Sequence, residues 1–207
     1  MTTLLTDDEL VAIAVEQNSE WFGNLPTVET SNATLLANAS ARGYRSLTVR
    51  SLMSETGASR LDARVLAAVG PAVGHRPEVF AYLADSDSPL AVTGASIAVF
   101  AASDTQSTLV VTLADGINEV KVLGRAAAMT AAWKFVNQVF REGFATPREA
   151  DSREIVALFV TEGHSEALLV TQGVARIASV AGTGDQVHLV GEQGQTAFPD
   201  YLFGRAA

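Results

Sequence analysis

The stretch Ser107 to Phe144 constrains the fold of this chain most, because it has the pattern of a β-hairpin followed by a covering helix. The dipeptide Asp115-Gly116 is typical of a two-residue type I′ turn between two strands. Such a turn sets these pairs on one largely apolar face: Leu113 with Asn118, Val111 with Val120 and Leu109 with Val122. The other face would carry Thr112 opposite Glu119 and Val110 opposite Lys121. The sequence therefore predicts a ribbon with one packed side and one mostly wet side.

The residues from Ala126 onward predict an amphipathic helix. Its apolar side is formed by residues at helical spacing, namely Met129, Ala132, Trp133, Val136, Val139 and Phe140. Its polar side carries Thr130, Lys134, Asn137, Gln138 and Arg141. Gly143 is expected to end the helix as its C′ residue. We expect this helix and the hairpin to form the core of the protein.

The first part of the chain is predicted to be mainly helical. Thr6 followed by Glu9 is a capping-box pattern that starts the first helix. The predicted helices have these limits: Thr6 to about Ser19, Asn32 to Ala41 with a stop at Gly43, and Ser59, as the capping residue, to Gly70-Pro71. Two segments stay open. Leu47 to Val49 fits a short strand or the start of another helix, and Glu78 to Leu83 fits a strand or a helix.

The remaining segments alternate short apolar runs with turn residues, which is typical of antiparallel strands. Strands are predicted at Val92 to Ala101, in the hairpin, and at Ile155 to Thr161, Ala167 to Thr171, Val174 to Val180 and Val187 to Val190. The order of helices, three strands, helix and further strands predicts an α+β fold with a mainly antiparallel sheet covered by helices. We expect a single α+β domain over residues 1–207, mainly helical at 1–88, with strands and the long helix at 89–144, and β-rich at 145–207. Whether it consists of two related halves stays open, since no residue-level repeat is visible.

Composition restricts the class of partner. The net charge of −9, from 14 basic and 23 acidic residues, disfavours nucleic acid and anionic lipid. The absence of cysteine excludes disulfides and thiolate metal sites. The longest weakly polar run, Pro89 to Ala102, is too short to span a membrane. No basic residue precedes Arg42, so the charged region of a signal peptide is missing and we expect a cytoplasmic protein.

The charges are unevenly distributed along the chain. Residues 1–41 carry six acidic residues and no lysine or arginine, whereas residues 42–76 carry six arginines against two acidic residues. Pairing within the molecule, or two solvated faces, would explain this distribution. A docking surface for a partner would explain it as well.

No motif in the sequence supports a chemical reaction. Val92 to Ser96 and Gly182-x-Gly184 lack the further glycines of a dinucleotide-binding turn. The three histidines have no second ligand at metal-binding spacing: His75, His164 and His188. Signatures of serine hydrolases, zinc proteases and P-loop proteins are absent. We therefore expect a non-enzymatic protein with no catalytic residues, cofactor or metal.

One alternative is a transcriptional regulator that binds DNA. Leu47 to Val69 could form two helices around Glu55 to Ala58, the second bearing Arg60 and Arg64, with the later hairpin as a wing. This is the outline of a winged helix-turn-helix protein. In such a protein Arg45, Arg60 and Arg64 would face solvent together.

Several short segments resemble the EspG family of type VII secretion chaperones. They are Leu5-Thr6-Asp7-Asp8-Glu9-Leu10, Ala41-Arg42-Gly43-Tyr44, Leu61-Asp62-Ala63 with Leu66, Leu113-Ala114-Asp115-Gly116 before an alanine-rich helix, Gln172-Gly173-Val174-Ala175-Arg176, and Phe198-Pro199 with Tyr201. The resemblance covers most of the chain in outline. It implies a cytosolic chaperone that binds a helical secretion substrate, keeps its apolar tip from aggregating and releases it for export.

For such a binding protein, we expect the arginines of residues 42–76 to be paired or dispersed. The partner would bind an apolar groove or sheet face rimmed by polar loops. The connection formed by Ser103, Asp104, Thr105 and Gln106 is the predicted part of that rim.

Overall fold

A computed structural model describes residues 2–54, 60–85, 95–113, 115–132, 134–135, 153–161, 164–171, 174–181 and 188–195. The helices are α1 (Asp7–Glu16), α2 (Ala33–Val49), α3 (Ala63–Val69), a 3₁₀ turn (Gly70–Ala72) and α4, which is helical at 125–132 and 134–135. The strands are β1 (Thr2–Thr6), β2 (Val79–Asp85), β3 (Ser96–Ala101), β4 (Gln106–Thr112), β5 (Ile117–Gly124), β6 (Arg153–Thr161), β7 (His164–Thr171), β8 (Val174–Ala181) and β9 (His188–Gln195). The predicted α+β class with antiparallel pairing is confirmed.

The described strands form one sheet in the order β1-β5-β4-β3-β2-β6-β7-β8-β9, and every neighbouring pair is antiparallel. Strands β2 to β5 form one meander and β6 to β9 form another. The two meanders meet where Val79–Asp85 pairs with residues 153–159 of β6. The strand order therefore has two similar halves, with β1 added outside the first one.

One face of the sheet, here called the inner face, is covered by the N-terminal helices. Leu10, Val11, Ala12 and Ile13 are consecutive in α1 and none is more than 3% exposed. Because consecutive helical residues point to different sides, α1 must be covered on most sides between Leu10 and Ile13. It packs in one cluster with Phe100 of the sheet and is covered on its other side by α2.

The opposite, outer face is covered by α4. Ala128 and Ala132 are buried against Val79 and Ala81 of β2, Ile97 and Val99 of β3, and Leu109 of β4. The prediction that the helix covers the hairpin is confirmed for the part of α4 that is described. Trp133 and residues 136–144, including the predicted C′ residue Gly143, lie outside the described residues.

The predicted hairpin register is wrong by one position. The observed pairs are Thr112 with Asn118, Val111 with Glu119, Val110 with Val120, Leu109 with Lys121 and Thr108 with Val122. The Leu113 N–H donates to Ile117 O over 2.9 Å, and Gly116 has a φ of 79°. This is the three-residue loop that ends in a left-handed residue, rather than a two-residue turn.

The extra loop residue changes which side chains share a face. Val110 and Val120 belong to the inner cluster, whereas Leu109 and Val111 belong to the outer one. The ribbon therefore has packed apolar residues on both faces, which contradicts the predicted division into one packed and one mostly wet side. The reason is that helices lie on both sides of the sheet.

Gly43 does not end the second helix, as the sequence suggested. It lies inside α2, is buried, and a Cβ at this position would be 2.5 Å from the Asp8 carbonyl carbon and 2.9 Å from Ala12 Cβ. The glycine is required because α2 crosses α1 without room for a side chain. Leu47 to Val49, left open by the sequence, is the last turn of α2.

Other limits differ in detail. The capping box of Thr6 and Glu9 is confirmed, and α1 ends at Glu16 instead of about Ser19. Asp62 caps α3, and the predicted cap Ser59 lies outside the described residues. Residues 1–88, predicted as mainly helical, also contain β1 and β2. No described helix has the length and apolar character needed to cross a membrane.

Candidate partner-binding surface

The arginines of residues 42–76 are largely paired within the molecule. Arg42 Nε lies 2.7 Å from Asp8 Oδ2, and Arg50 Nη1 lies 2.6 Å from Glu9 Oε2. Arg60 makes a longer contact of 3.9 Å with Glu16. These acidic partners all come from the first, acidic part of the chain. Intramolecular pairing, one of the two explanations for the uneven charge, is therefore observed.

The other arginines do not form an open basic patch. Arg64 pairs with Asp62 at 3.1 Å, and hydrogen bonds from Arg64 hold the pKa of the Asp62 carboxyl below its usual value. The Arg76 guanidinium lies over the Phe22 ring, 5.7 Å from its centroid. Arg45 is exposed and makes no ion pair with the residues that the structure describes. The winged-helix alternative requires Arg45, Arg60 and Arg64 to face solvent together. Two of them, Arg60 and Arg64, are in ion pairs.

The hairpin of β4 and β5 does not project from the fold as the wing of a winged-helix protein would. Strands β4 and β5 lie inside the sheet, between β3 and β1. Before α3, Met53 and Leu61 form an isolated antiparallel bridge. Residues 55–59, where a helix-turn-helix would turn, lie outside the described residues.

Glu9 closes the free edge of the sheet. Its carboxylate is buried and accepts hydrogen bonds from Thr6 N at 2.9 Å, Ser46 Oγ at 2.7 Å and Arg50 Nη1. Arg50 also donates from Nη2 to Leu4 O over 2.8 Å. In an antiparallel edge strand, alternate residues direct their N–H and C=O groups away from the neighbouring strand. Glu9 and Arg50 therefore occupy backbone groups of β1 that an added strand would use.

Asp7 joins three separate segments. Its buried carboxylate accepts from Thr27 N at 2.9 Å, Thr27 Oγ1 at 2.7 Å and Asn118 Nδ2 at 2.8 Å. The Asp7 N–H donates to Gly116 O over 3.0 Å. Its position in the first turn of α1 also suits a negative charge. This network fixes the hairpin turn against α1, which is a structural role.

Part of the outer face next to β1 is not covered by the described residues of α4. Leu4 is 51% exposed and Leu113 is 43% exposed, while Val111 and Ile117 are half-buried. The register places these residues on the outer face, across β1, β5 and β4. Between them, Lys121 Nζ lies 2.6 Å from Glu119 Oε2. We call this surface the outer strip.

A shallow depression lies along one side of α4. Arg125 Nη2 lies 2.9 Å from Glu78 Oε1, beside the start of β2, so the side of the helix that carries Arg125 points away from β1. At about 100° per residue, Ala127 lies about 200° around the helix axis from Arg125. Ala127 and Ala131 thus lie on the side of α4 away from Arg125, and they line a shallow depression with Ala126, Thr130 and Lys134. Sequence reasoning missed the outer strip because its strands are joined by contacts between distant residues.

The predicted rim residues form the turn between β3 and β4. Ser103 Oγ accepts from Thr105 N at 3.3 Å and from Gln106 N at 3.1 Å, and the side chains of Ser103, Asp104, Thr105 and Gln106 are exposed. Thr105 O accepts from Arg125 N, which connects the turn to the start of α4. The turn lies at the opposite end of β4 from Leu113. Its part in partner binding stays a prediction.

The described side chains do not form a metal cluster. Within the described ranges, no three His, Cys, Asp or Glu residues come close enough to hold a metal ion. His75, the one histidine whose side chain the structure describes, has Nδ1 at 3.0 Å from Val73 O. Compared with known proteins, the chain matches no family model and no curated protein.

Proposed function

We propose that this chain is a non-enzymatic, cytosolic protein that binds a helical protein partner, as the resemblance to type VII secretion chaperones implies. In this role it would shield an apolar surface of an export substrate and release it to the export machinery. The predicted partner class comes from the resemblance. The structural support comes from charge pairing and from the outer strip.

The observation that carries the proposal is the pairing of Arg42, Arg50 and Arg60 with Asp8, Glu9 and Glu16. A protein that reads DNA needs basic groups free to contact phosphates, and its affinity falls steeply as salt rises. Here most arginines of the basic segment contact carboxylates of the same chain. The net charge of −9 also disfavours binding to DNA, which is negatively charged. These observations favour a protein partner over the winged-helix alternative.

The test is affinity purification of the tagged chain from its own cells, beside a gel shift with mixed genomic DNA at low salt. We expect a helical protein to co-purify in stoichiometric amount and DNA to migrate unshifted. Retarded DNA whose binding weakens as salt rises would contradict the proposal. Purification of the chain without any protein partner would contradict it too.

A further inference from the structure

We infer that the connection between α1 and α2 opens as one unit from the inner face while the helices and the sheet stay folded. Residues 20–31 of this connection are here called the strap. The strap packs on the inner cluster, and the carboxylate of Asp7 is the latch that holds it closed. The opening is a property of the fold and does not depend on the proposed function.

The strap has few links to the rest of the fold. Residues 17–32, between the end of α1 and the start of α2, contain no helix or strand. Connections longer than about 12 to 15 residues without secondary structure are uncommon in compact domains, and many of them are functional loops such as lids. Within the described residues, the strap backbone makes two hydrogen bonds to other segments: Gly74 N–H donates to Glu20 O over 2.9 Å, and Thr27 N–H donates to Asp7 Oδ2 over 2.9 Å. A loop held in this way opens at a lower free energy than the helices and strands around it.

Apolar side chains hold the strap in its closed position. Leu25 is 8% exposed, and Trp21 and Val28 pack against the inner cluster. The centroid of the Trp21 ring lies 5.7 Å from that of Phe100, which is fully buried. Opening of the strap would therefore uncover an apolar site at Phe100, on the inner face of β3.

The two backbone bonds are expected to break together. Trp21 and Leu25 lie between Glu20 and Thr27 in the chain. Lifting both side chains from the inner cluster moves the strap at both of its ends. The strap therefore opens as a unit instead of fraying from one end.

The closed position also buries two donors without acceptors. Trp21 Nε1 and Asn24 Nδ2 are buried, and neither has a hydrogen-bond partner among the described residues. A buried donor without an acceptor destabilises the state that buries it, because it has lost its hydrogen bond with water. Opening returns both donors to water. This gain opposes the loss of apolar burial and brings the open and closed states closer in free energy.

Asp7 can release the strap without losing its contact with the hairpin. Its Oδ2 accepts from Thr27 N and, at 2.7 Å, from Thr27 Oγ1, whereas its Oδ1 accepts from Asn118 Nδ2 at 2.8 Å. When the strap opens, water can hydrate Oδ2 while Asn118 stays bound to Oδ1. The boundary between the strap and the rest of the fold therefore lies at Thr27, and the hairpin turn stays in place.

Native-state hydrogen exchange followed by NMR tests the opening. The reporters are the amides of Thr27 and Gly74, which donate across the boundary of the strap, and the amide of Ile13 in the buried part of α1 is the reference for the core. We expect both reporters to be at least about tenfold less protected than Ile13, with nearly the same opening constant. Their exchange should depend only weakly on urea, because a local opening exposes little surface.

Thr27→Val weakens the latch and keeps the shape of the side chain. Loss of a hydrogen bond to a charged carboxylate should raise the opening constant by about tenfold or more at both reporters, although Gly74 is distant in the chain. Ser31→Ala is the matched control, because Ser31 Oγ donates to Glu29 inside the strap. It should change the exchange of neither reporter.

Gly23→Ala tests the same opening from another point of the strap. The added Cβ would lie 2.7 Å from Trp21 Nε1, so the indole would have to shift away from its place beside Phe100. This variant should also speed exchange at both reporters, although it leaves the latch intact.

Three results would contradict the strap. If both reporters exchange with the full urea dependence of Ile13, the strap leaves the fold only when the whole chain unfolds. If Thr27→Val speeds exchange at residue 27 and leaves Gly74 unchanged, the two ends open separately. If Gly23→Ala leaves both reporters unchanged, the indole is not part of the unit that opens.

Discussion

Replacing Gly43 with alanine should destabilise the protein although alanine favours helices. The added Cβ would lie 2.5 Å from the Asp8 carbonyl carbon and 2.9 Å from Ala12 Cβ, and it would overlap the Asp8 carbonyl oxygen. Carbon atoms in ordinary contact are about 3.5 to 4.0 Å apart, so α2 would have to move by about 1 Å or more from α1. Asp8 belongs to the backbone of α1, which cannot move aside as a flexible side chain can.

The magnitude follows from two opposing terms. Overpacking of a core typically costs about 1 to 3 kcal/mol and sometimes more, and this contact is more severe than an extra methylene. The higher helix propensity of alanine stabilises the folded state by about 1 kcal/mol relative to glycine. We expect a net loss of about 2 to 4 kcal/mol in the free energy of unfolding, because the backbone contact outweighs the propensity.

Urea unfolding followed by circular dichroism measures this loss. Gly124→Ala is the matched control, since the nearest atom to its added Cβ is Thr105 O at 3.9 Å and the residue is exposed. The control should change stability by about 1 kcal/mol or less. A Gly43→Ala variant as stable as the wild-type protein would refute the close crossing of α1 and α2.

Three further predictions concern buried polar groups. Asp7→Ala should lower the free energy of unfolding by about 3 to 5 kcal/mol in urea unfolding, because Thr27 would lose two hydrogen bonds to a charged carboxylate and the buried Asn118 Nδ2 would lose its closest acceptor; a loss below about 1 kcal/mol would contradict this network. Arg50→Met should cost about 2 to 4 kcal/mol and cause self-association detectable by sedimentation, since it removes the charged partner of Glu9 and frees Leu4 O at the edge of β1. Arg42→Met, which removes an exposed pair, should change stability much less and cause no self-association. Burial, then the hydrogen bond to Glu16, raises the pKa of Tyr44 to about 12, so its contribution to stability is present below about pH 10 and is lost as the pH rises toward 12. At about pH 10.5 the folded chain should show less tyrosinate absorbance than the chain in denaturant, and the difference should shrink in Tyr44→Phe.

Local sequence signals predicted the elements better than the contacts between them. The Thr6 and Glu9 capping box depends on residues three positions apart, and it is observed. The α+β class follows in the same way from successive helical and strand patterns. The short strand β1 was missed, because it is stabilised by pairing with residues 117–121, more than a hundred positions away.

Two errors arose where one residue has more than one structural use. Asp115-Gly116 fits a two-residue turn and also a three-residue loop, and only packing on both faces selects the second. Gly43 was interpreted as a helix end, but it serves as a point of close contact between helices. Neither choice can be made without knowing that α1 lies against the glycine and that the sheet has helices on both sides.

The candidate site illustrates the same limit. The polar turn Ser103 to Gln106 was visible in the sequence, since turn residues are recognised locally. The outer strip depends on Leu4 and Leu113 coming onto one face from two distant parts of the chain. Its exposed leucines look like ordinary surface residues until the register places them on one face.

The outer strip includes the extra strand beside the first meander. The described part of α4 packs on β2, β3 and β4, since one helix spans about two to three strands. The outer faces of β5 and β1 lie beside these strands, and Leu4 of β1 is 51% exposed. A widened sheet would normally risk pairing with another chain at its new edge. Glu9 and Arg50 lower that risk, because they occupy the Thr6 N–H and the Leu4 C=O at this edge.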